Sequence, residues 1–358
     1  MNIAGDIARI KSSLEKEMDQ KITIALFGQP GAGKSSIINK LVGYSAAETG
    51  VKTDATMKEQ LIHYSGDDGC AEAMVLQNLC FVDLPGYGTT KFPAAFFMRE
   101  FAPERFDLFI CVFAGKFHEA DTDFFRMLKA KGKVCLFVRN KHDDIWEEGK
   151  AQKDLENTIV EDAQRQIGAP VKVYFTSCKT GHGLGELQEG IINALEPAKR
   201  EKYARLSKAY TRRHLADKKK ACESLVVRYA GLAAANAINI IPGLDIGVDL
   251  GVLLKLFNYI RDAYGLTGEK VKSIAPALTP IAINVFKYGT REGIPLLLKQ
   301  FTKNMAGKEL SKYFPIVGQA IAAGLGFAIT YRAGHSYLDD CHKVAAGILE
   351  NELKLGRN

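Results

Sequence analysis

The chain is poor in cysteine and contains no C-x-x-C pair. Its seven cysteines are an odd number, and Cys80, Cys111 and Cys135 fall in apolar stretches that read as buried strands. This excludes a disulfide framework and a zinc site built on paired thiols, and it points to the reducing cytoplasm. The start, Met1-Asn2-Ile3-Ala4-Gly5-Asp6, lacks the apolar core of a secretory signal and has no glycine placed for myristoylation. Long charge-free runs are scarce as well. One of them, residues 314–331, touches the length of a membrane span. Pro315, Gln319 and its wealth of Ala and Gly favour a buried helix packed closely through small residues. Aromatic residues do not interleave with the basic run at 198–220, so nothing supports a nucleic-acid module.

What is present is an ordinary globular composition, 47% hydrophobic and 25% charged, with a net charge of +7. At 358 residues, two compact units are expected. The run Gly28-Gln29-Pro30-Gly31-Ala32-Gly33-Lys34-Ser35 fits G-x-x-x-x-G-K-S/T at every defined position. Apolar residues 22–27 before it read as a buried strand, and the run from Ser36 reads as a helix. In that context the glycines turn backbone N–H groups inward around a phosphate chain, at the positive end of a helix. The amides of Gly31 to Ser36 form the cradle. Lys34 reaches the β- and γ-phosphates, and the Ser35 hydroxyl ligates Mg²⁺.

Two further motifs name the nucleotide. Asn140-Lys141-His142-Asp143 ends an apolar strand and resembles the N-K-x-D guanine-reading motif of the GTPase superfamily. The Asp143 carboxylate can accept from both the ring N–H and the exocyclic amine of guanine, whereas adenine would leave it unpaired. The Lys141 stem lies along the base plane. Between the two motifs, Asp83-Leu84-Pro85-Gly86 ends another strand. Asp83 holds Mg²⁺ through a water, and the Gly86 N–H senses the γ-phosphate. A weaker element, Thr176-Ser177-Cys178-Lys179, resembles the S-A-K loop that backs guanine, with Cys178 in place of Ala. The first switch needs a threonine ligand for Mg²⁺, and Thr49, Thr53 and Thr56 are the candidates. Tyr87 stands directly after D-x-x-G, where Ras-type GTPases place a water-orienting glutamine, so unaided hydrolysis should be slow.

The segments Thr49–Glu59 and Asp83–Pro93, with Phe137-Val138-Arg139 and Asn239-Ile240-Ile241-Pro242-Gly243-Leu244-Asp245, together resemble the interferon-inducible immunity-related GTPases and their microbial and invertebrate relatives. The resemblance runs through most of residues 20–265. It implies that Thr56 is the first-switch threonine. It implies that Asp54 helps to activate a dimer formed across the nucleotide faces, and that the protein is a GTP-dependent homodimer or larger oligomer. Rival readings are a switch that recruits partners without hydrolysis, and a dynamin-like GTPase that remodels membranes.

The expected fold is an α/β nucleotide-binding domain with a mostly parallel sheet, plus an all-helical domain built from both chain ends. Strands are expected at 22–27, 59–64, 76–82, 107–113, 133–138 and 171–175. Helices are expected at 34–42, 94–101, 121–131, 151–168 and 184–195. Residues 1–20 should form a helix packing on the helical domain through Ile3, Ile7, Ile10, Leu14 and Met18. Residues 21–197 form the nucleotide-binding domain, and 198–358 the rest of the helical domain. The run 198–220 carries ten Lys/Arg and two acidic residues. It reads as a long solvated helix, with contact to an anionic membrane surface as the alternative. Asp245 is expected to cap a helix after the Pro242-Gly243 turn.

Overall fold

The computed structural model describes residues 3–43, 60–63, 78–84, 103–116, 119–236, 240–241, 246–268, 274, 276–301, 312, 314–318, 321 and 324–355. The expected helix at 94–101 lies outside them. The described residues divide into two compact units.

The unit between Lys21 and Lys208 is built on a six-stranded sheet. Its strands are β1 (Ile22–Gly28), β2 (Gln60–His63), β3 (Leu79–Asp83), β4 (Leu108–Phe113), β5 (Cys135–Arg139) and β6 (Val173–Phe175). Their order is β2-β3-β1-β4-β5-β6, and β2 alone runs antiparallel. The apolar runs are uninterrupted because both faces are covered, as in parallel sheets generally. Alternate residues of β1 and β4 serve opposite faces. Ile24, Leu26, Leu108, Ile110 and Val112 pack with helix α2 (Lys34–Val42) and with two later helices, α5 (Leu184–Ala194) and α6 (Pro197–Leu206). Ala25, Phe27, Phe109, Cys111 and Phe113 pack with α3 (Glu119–Ala130) and α4 (Gln152–Ile167). Phe27 and Phe124 meet edge to face there, 4.6 Å between centroids. The loops after β1, β3, β5 and β6 emerge at the carboxyl ends of parallel neighbours, where such sheets bind ligands.

The other unit contains α1 (Ile3–Asp19) and the described residues from Ala209 onward. Ile10 and Leu14 of α1 are buried in one core with Leu225, Val226 and Tyr229 of α7 (Arg212–Ala235). Helix α7 also packs along α12 (Leu325–Leu355), where Ala230, Ala233 and Ala333 allow close approach. Thr330 donates across this seam to the Ala230 carbonyl at 3.3 Å. Between them lie the short pair β7 (Ile240–Ile241) and β8 (Ile246–Gly247), then α8 (Leu250–Ala263), α9 (Thr279–Tyr288), α10 (Gly293–Lys299) and α11 (Phe314–Val317).

Three expectations need correction. The run 198–220 is not one solvated helix, because it breaks between Leu206 and Arg212. Its first part belongs to the sheet unit, with Tyr203 and Leu206 in that core. Lys202, Arg205 and Lys218 are buried, and Lys218 donates to the Ala263 carbonyl at 2.7 Å, at the C-terminal end of α8. Residues 314–331 are likewise not a single helix: α11 stops at Val317 and α12 begins at Leu325. Among the described residues, no helix is long and apolar enough to cross a membrane. Finally, the cap preceding α8 is Asp249, which accepts from Gly251 N at 2.9 Å and Val252 N at 3.1 Å. Asp245 lies outside the described residues.

Candidate nucleotide-binding site

The loop from Gly28 to Gly33 joins the end of β1 to the start of α2. Two of its glycines are obligatory on steric grounds. At Gly28 (φ +123) a Cβ would stand 2.1 Å from the Val112 carbonyl oxygen, and at Gly33 (φ +91) it would stand 2.3 Å from Asn140 Nδ2. Gln29 is tied outward, its amide donating to the Lys116 carbonyl. Pro30 and Gly31 are exposed at the tip, while Ala32 is buried. Lys34 curls back over the loop, donating to the Gly28 carbonyl at 3.2 Å and the Gln29 carbonyl at 3.4 Å. Ser36 lies in the first turn of α2 behind it.

β3 runs parallel to β1, which brings Asp83 to the same edge. The Ser35 hydroxyl donates to Asp83 Oδ2 at 2.5 Å, and Lys34 Nζ lies 3.9 Å from Oδ1. Asp83 is fully buried, and its Oδ1 has no hydrogen-bond partner among the described residues. Burial pushes its carboxyl pKa up, against the opposing pull of Lys34 and Ser35. A buried carboxylate oxygen beside a hydroxyl is a fitting donor set for Mg²⁺, which prefers oxygen ligands and keeps several waters.

The two loops expected to hold the base follow β5 and β6. Asn140 is buried, and its amide donates to the Ala32 carbonyl at 2.8 Å. Its Oδ1 accepts from Thr176 Oγ1 at 3.2 Å and from the Cys178 thiol at 3.6 Å. One side chain thus joins the phosphate loop to the loop after β6. Burial raises the Cys178 pKa to about 11, so it is a thiol and able to donate. Lys141 has φ +58, the one left-handed non-glycine residue among those described. Asp143 accepts from the Ser177 hydroxyl, and Lys179 Nζ stands 3.9 Å from its other oxygen. The Ser177 bond foremost, with lesser help from a backbone hydrogen bond, Lys179 and His142, holds this carboxyl below its usual range against the opposing effect of burial. An ionised carboxylate is purely an acceptor, which suits a partner offering two N–H groups. Gly28, Lys34, Ser35, Asp83, Asn140, Asp143 and Ser177 therefore converge on one end of one sheet. Asp54, Thr56, Gly86 and Tyr87 lie outside the described residues.

A family model for interferon-inducible GTPases matches residues 1–316. The chain belongs to that family. It is accordingly a GTPase, which binds GTP and hydrolyses it. The match reaches beyond residue 265, where the sequence resemblance faded. Interferon-gamma-inducible GTPase 10 of Mus musculus is 23% identical over 377 residues, covering 98% of this chain and 87% of that protein. Interferon-inducible GTPase 1 of the same species is 28% identical over 281 residues, covering 73% and 65%. Among solved structures, Aquifex aeolicus Era bound to GDP·AlF4⁻ aligns with a TM-score of 0.38 at 17% identity, over 58% of this chain and 68% of that one.

Sequence reasoning missed two contributors to this GTPase's site. Thr176 was read only as part of a loop, yet it is fully buried against Asn140. His182 was not singled out at all, yet its carbonyl accepts from Ser177 N at 3.0 Å. The run Gly181-His182-Gly183 was the available signal, since glycines flanking one residue after a strand mark a tight turn.

Proposed function

We propose that the GTP of this family is held with Mg²⁺ between the Gly28–Ser36 cradle and the Asn140/Asp143/Ser177 pocket, and that the loaded protein self-associates through that face. Support comes first from Asp83. It is a fully buried carboxylate beside the Ser35 hydroxyl, and among the described residues one of its oxygens accepts no hydrogen bond, an arrangement that suits a cation. Mg²⁺, when bound, neutralises charge on the β- and γ-phosphates. Ser35 and Asp83 would hold it, directly and through water, with Thr56 as the family resemblance implies. Lys34 adds its own charge to the same phosphates. Asp143 reads the base, Asn140 fixes the distance between the loops, and Lys141, Cys178 and Lys179 close the pocket around the ring. Self-association follows from Tyr87: no side chain of the Ras kind follows Gly86 to order water, so a second copy supplies what the first lacks. Asp54 and Gly86 belong to the loops that would meet there. Attachment to an anionic membrane is the weaker reading, because Lys199, Arg212 and Lys219 of the basic run already pair with Asp107, Glu350 and Asp339.

Two experiments test this. Asp143→Asn should exchange guanosine for xanthosine triphosphate preference, read as competition for a fluorescent nucleotide. A variant that still prefers GTP would remove Asp143 from the base site. Specific GTPase activity should also rise with protein concentration and level off, and a flat line would remove the self-association.

A further inference from the structure

We infer that His142 and His182 form a stacked clasp that locks the two base loops together and sets how long a guanine nucleotide stays bound. The inference rests on the assignment of Asp143 and Ser177 to the base. The two imidazoles lie parallel, 4.1 Å between centroids and 6° between planes, with Phe175 edge-on to His142 at 6.0 Å. Each ring sits beside a base-reading group. His142 is the variable residue of N-K-x-D and precedes Asp143. His182 holds Ser177 by its carbonyl, and the Ser177 hydroxyl in turn holds Asp143.

The clasp is itself anchored. His142 Nε2 is 2.7 Å from the Glu156 carboxylate on α4. The Gln152 side-chain amide nitrogen lies 3.1 Å from the same Nε2, so the ring is held from two sides. The His142 amide donates to the Thr176 carbonyl at 2.9 Å, joining the loops a second time. The left-handed Lys141 lies immediately before His142 and stores backbone strain. A loop strained at that point needs support from outside itself, and the His182 ring supplies it. Release of a nucleotide requires such loops to open, so a contact made only when they are closed slows departure without touching the reacting phosphate.

His142 and His182 are positioning residues on this reading. His182→Ala should release a fluorescent GDP analogue about fivefold faster, the scale of one lost ring–ring contact. KM for GTP should rise, with kcat at saturating GTP within about twofold of the native value. His182→Phe keeps a ring in the stack and should restore slow release. Trp146, the chain's single tryptophan, lies three residues past Asp143 and is 79% exposed, so its fluorescence reports the loop directly. Asp143→Asn is measured in parallel. Fast release from Asp143→Asn with native release from folded His182→Ala overturns the clasp alone. Native release from both overturns the base assignment as well. Should His182→Ala fail to fold, His142→Leu is read instead with the same expected acceleration, and native release from it counts against the clasp.

Discussion

Asp83 carries most of the tension in the site. Its carboxyl is fully buried, its pKa is raised by that burial, and one oxygen accepts no hydrogen bond among the described residues. A carboxyl whose folded pKa lies above its unfolded value loses stability as pH climbs through the folded value, because the unfolded chain ionises more readily. The metal-free protein should therefore be more stable just above pH 4 than at neutrality as far as this group decides it. Asp83→Asn removes the buried charge and should stabilise the metal-free protein by about 1 kcal/mol, the scale of one unsatisfied buried group. The same change should weaken Mg²⁺-dependent GTP binding by tenfold or more. Thermal melts in chelator, beside nucleotide titrations, check both signs, and a destabilised variant would mean that Asp83 is structural. The types of the site residues were legible because each motif needs its residue at fixed spacing. The role of Asn140 was not legible, since its partner Ala32 is 108 positions away and only folding brings them together.

At the scale of elements, the strands of the sheet unit and its described helices at 34–42, 119–130, 152–167 and 184–194 were legible to within three residues at either end. All six expected strands are present in the sheet; the parallel ones are largely apolar because both their faces are covered, while β2 (Gln60–His63), at the edge, has polar residues at both ends. The basic run misled because ten basic residues in 198–220 suggest solvent, while folding buries Lys202 and Arg205 and places Lys218 against the end of α8. The cap of α8 was misplaced by four residues, since a Pro-Gly turn reads as a helix boundary although β8 intervenes before Asp249. Asp249→Ala should cost about 1 kcal/mol, read as a lower midpoint of denaturant unfolding for the helical unit. An unchanged midpoint would show that the two hydrogen bonds to Gly251 and Val252 carry no net stability. The apolar run at 314–331 was split for a local reason: Gly318 follows α11 with φ +84, a conformation that ends a helix.

The whole molecule combines a reader and a helical body, each compact in its own right. The body is discontinuous in sequence, since α1 and the chain from Ala209 onward share one core. The sheet unit gathers the phosphate loop, Asp83 and the two loops proposed to hold the base at the carboxyl ends of β1, β3, β5 and β6. On the proposed function, the amide-lined cradle and the ionised Asp143 together choose guanosine phosphates. Calorimetric titration of the purified protein with GTP, GDP and ATP in the presence of Mg²⁺ tests that choice directly. Binding of GTP and GDP at least about a hundredfold tighter than ATP is the predicted result. Equal affinity for ATP, or binding of none of the three, would contradict it.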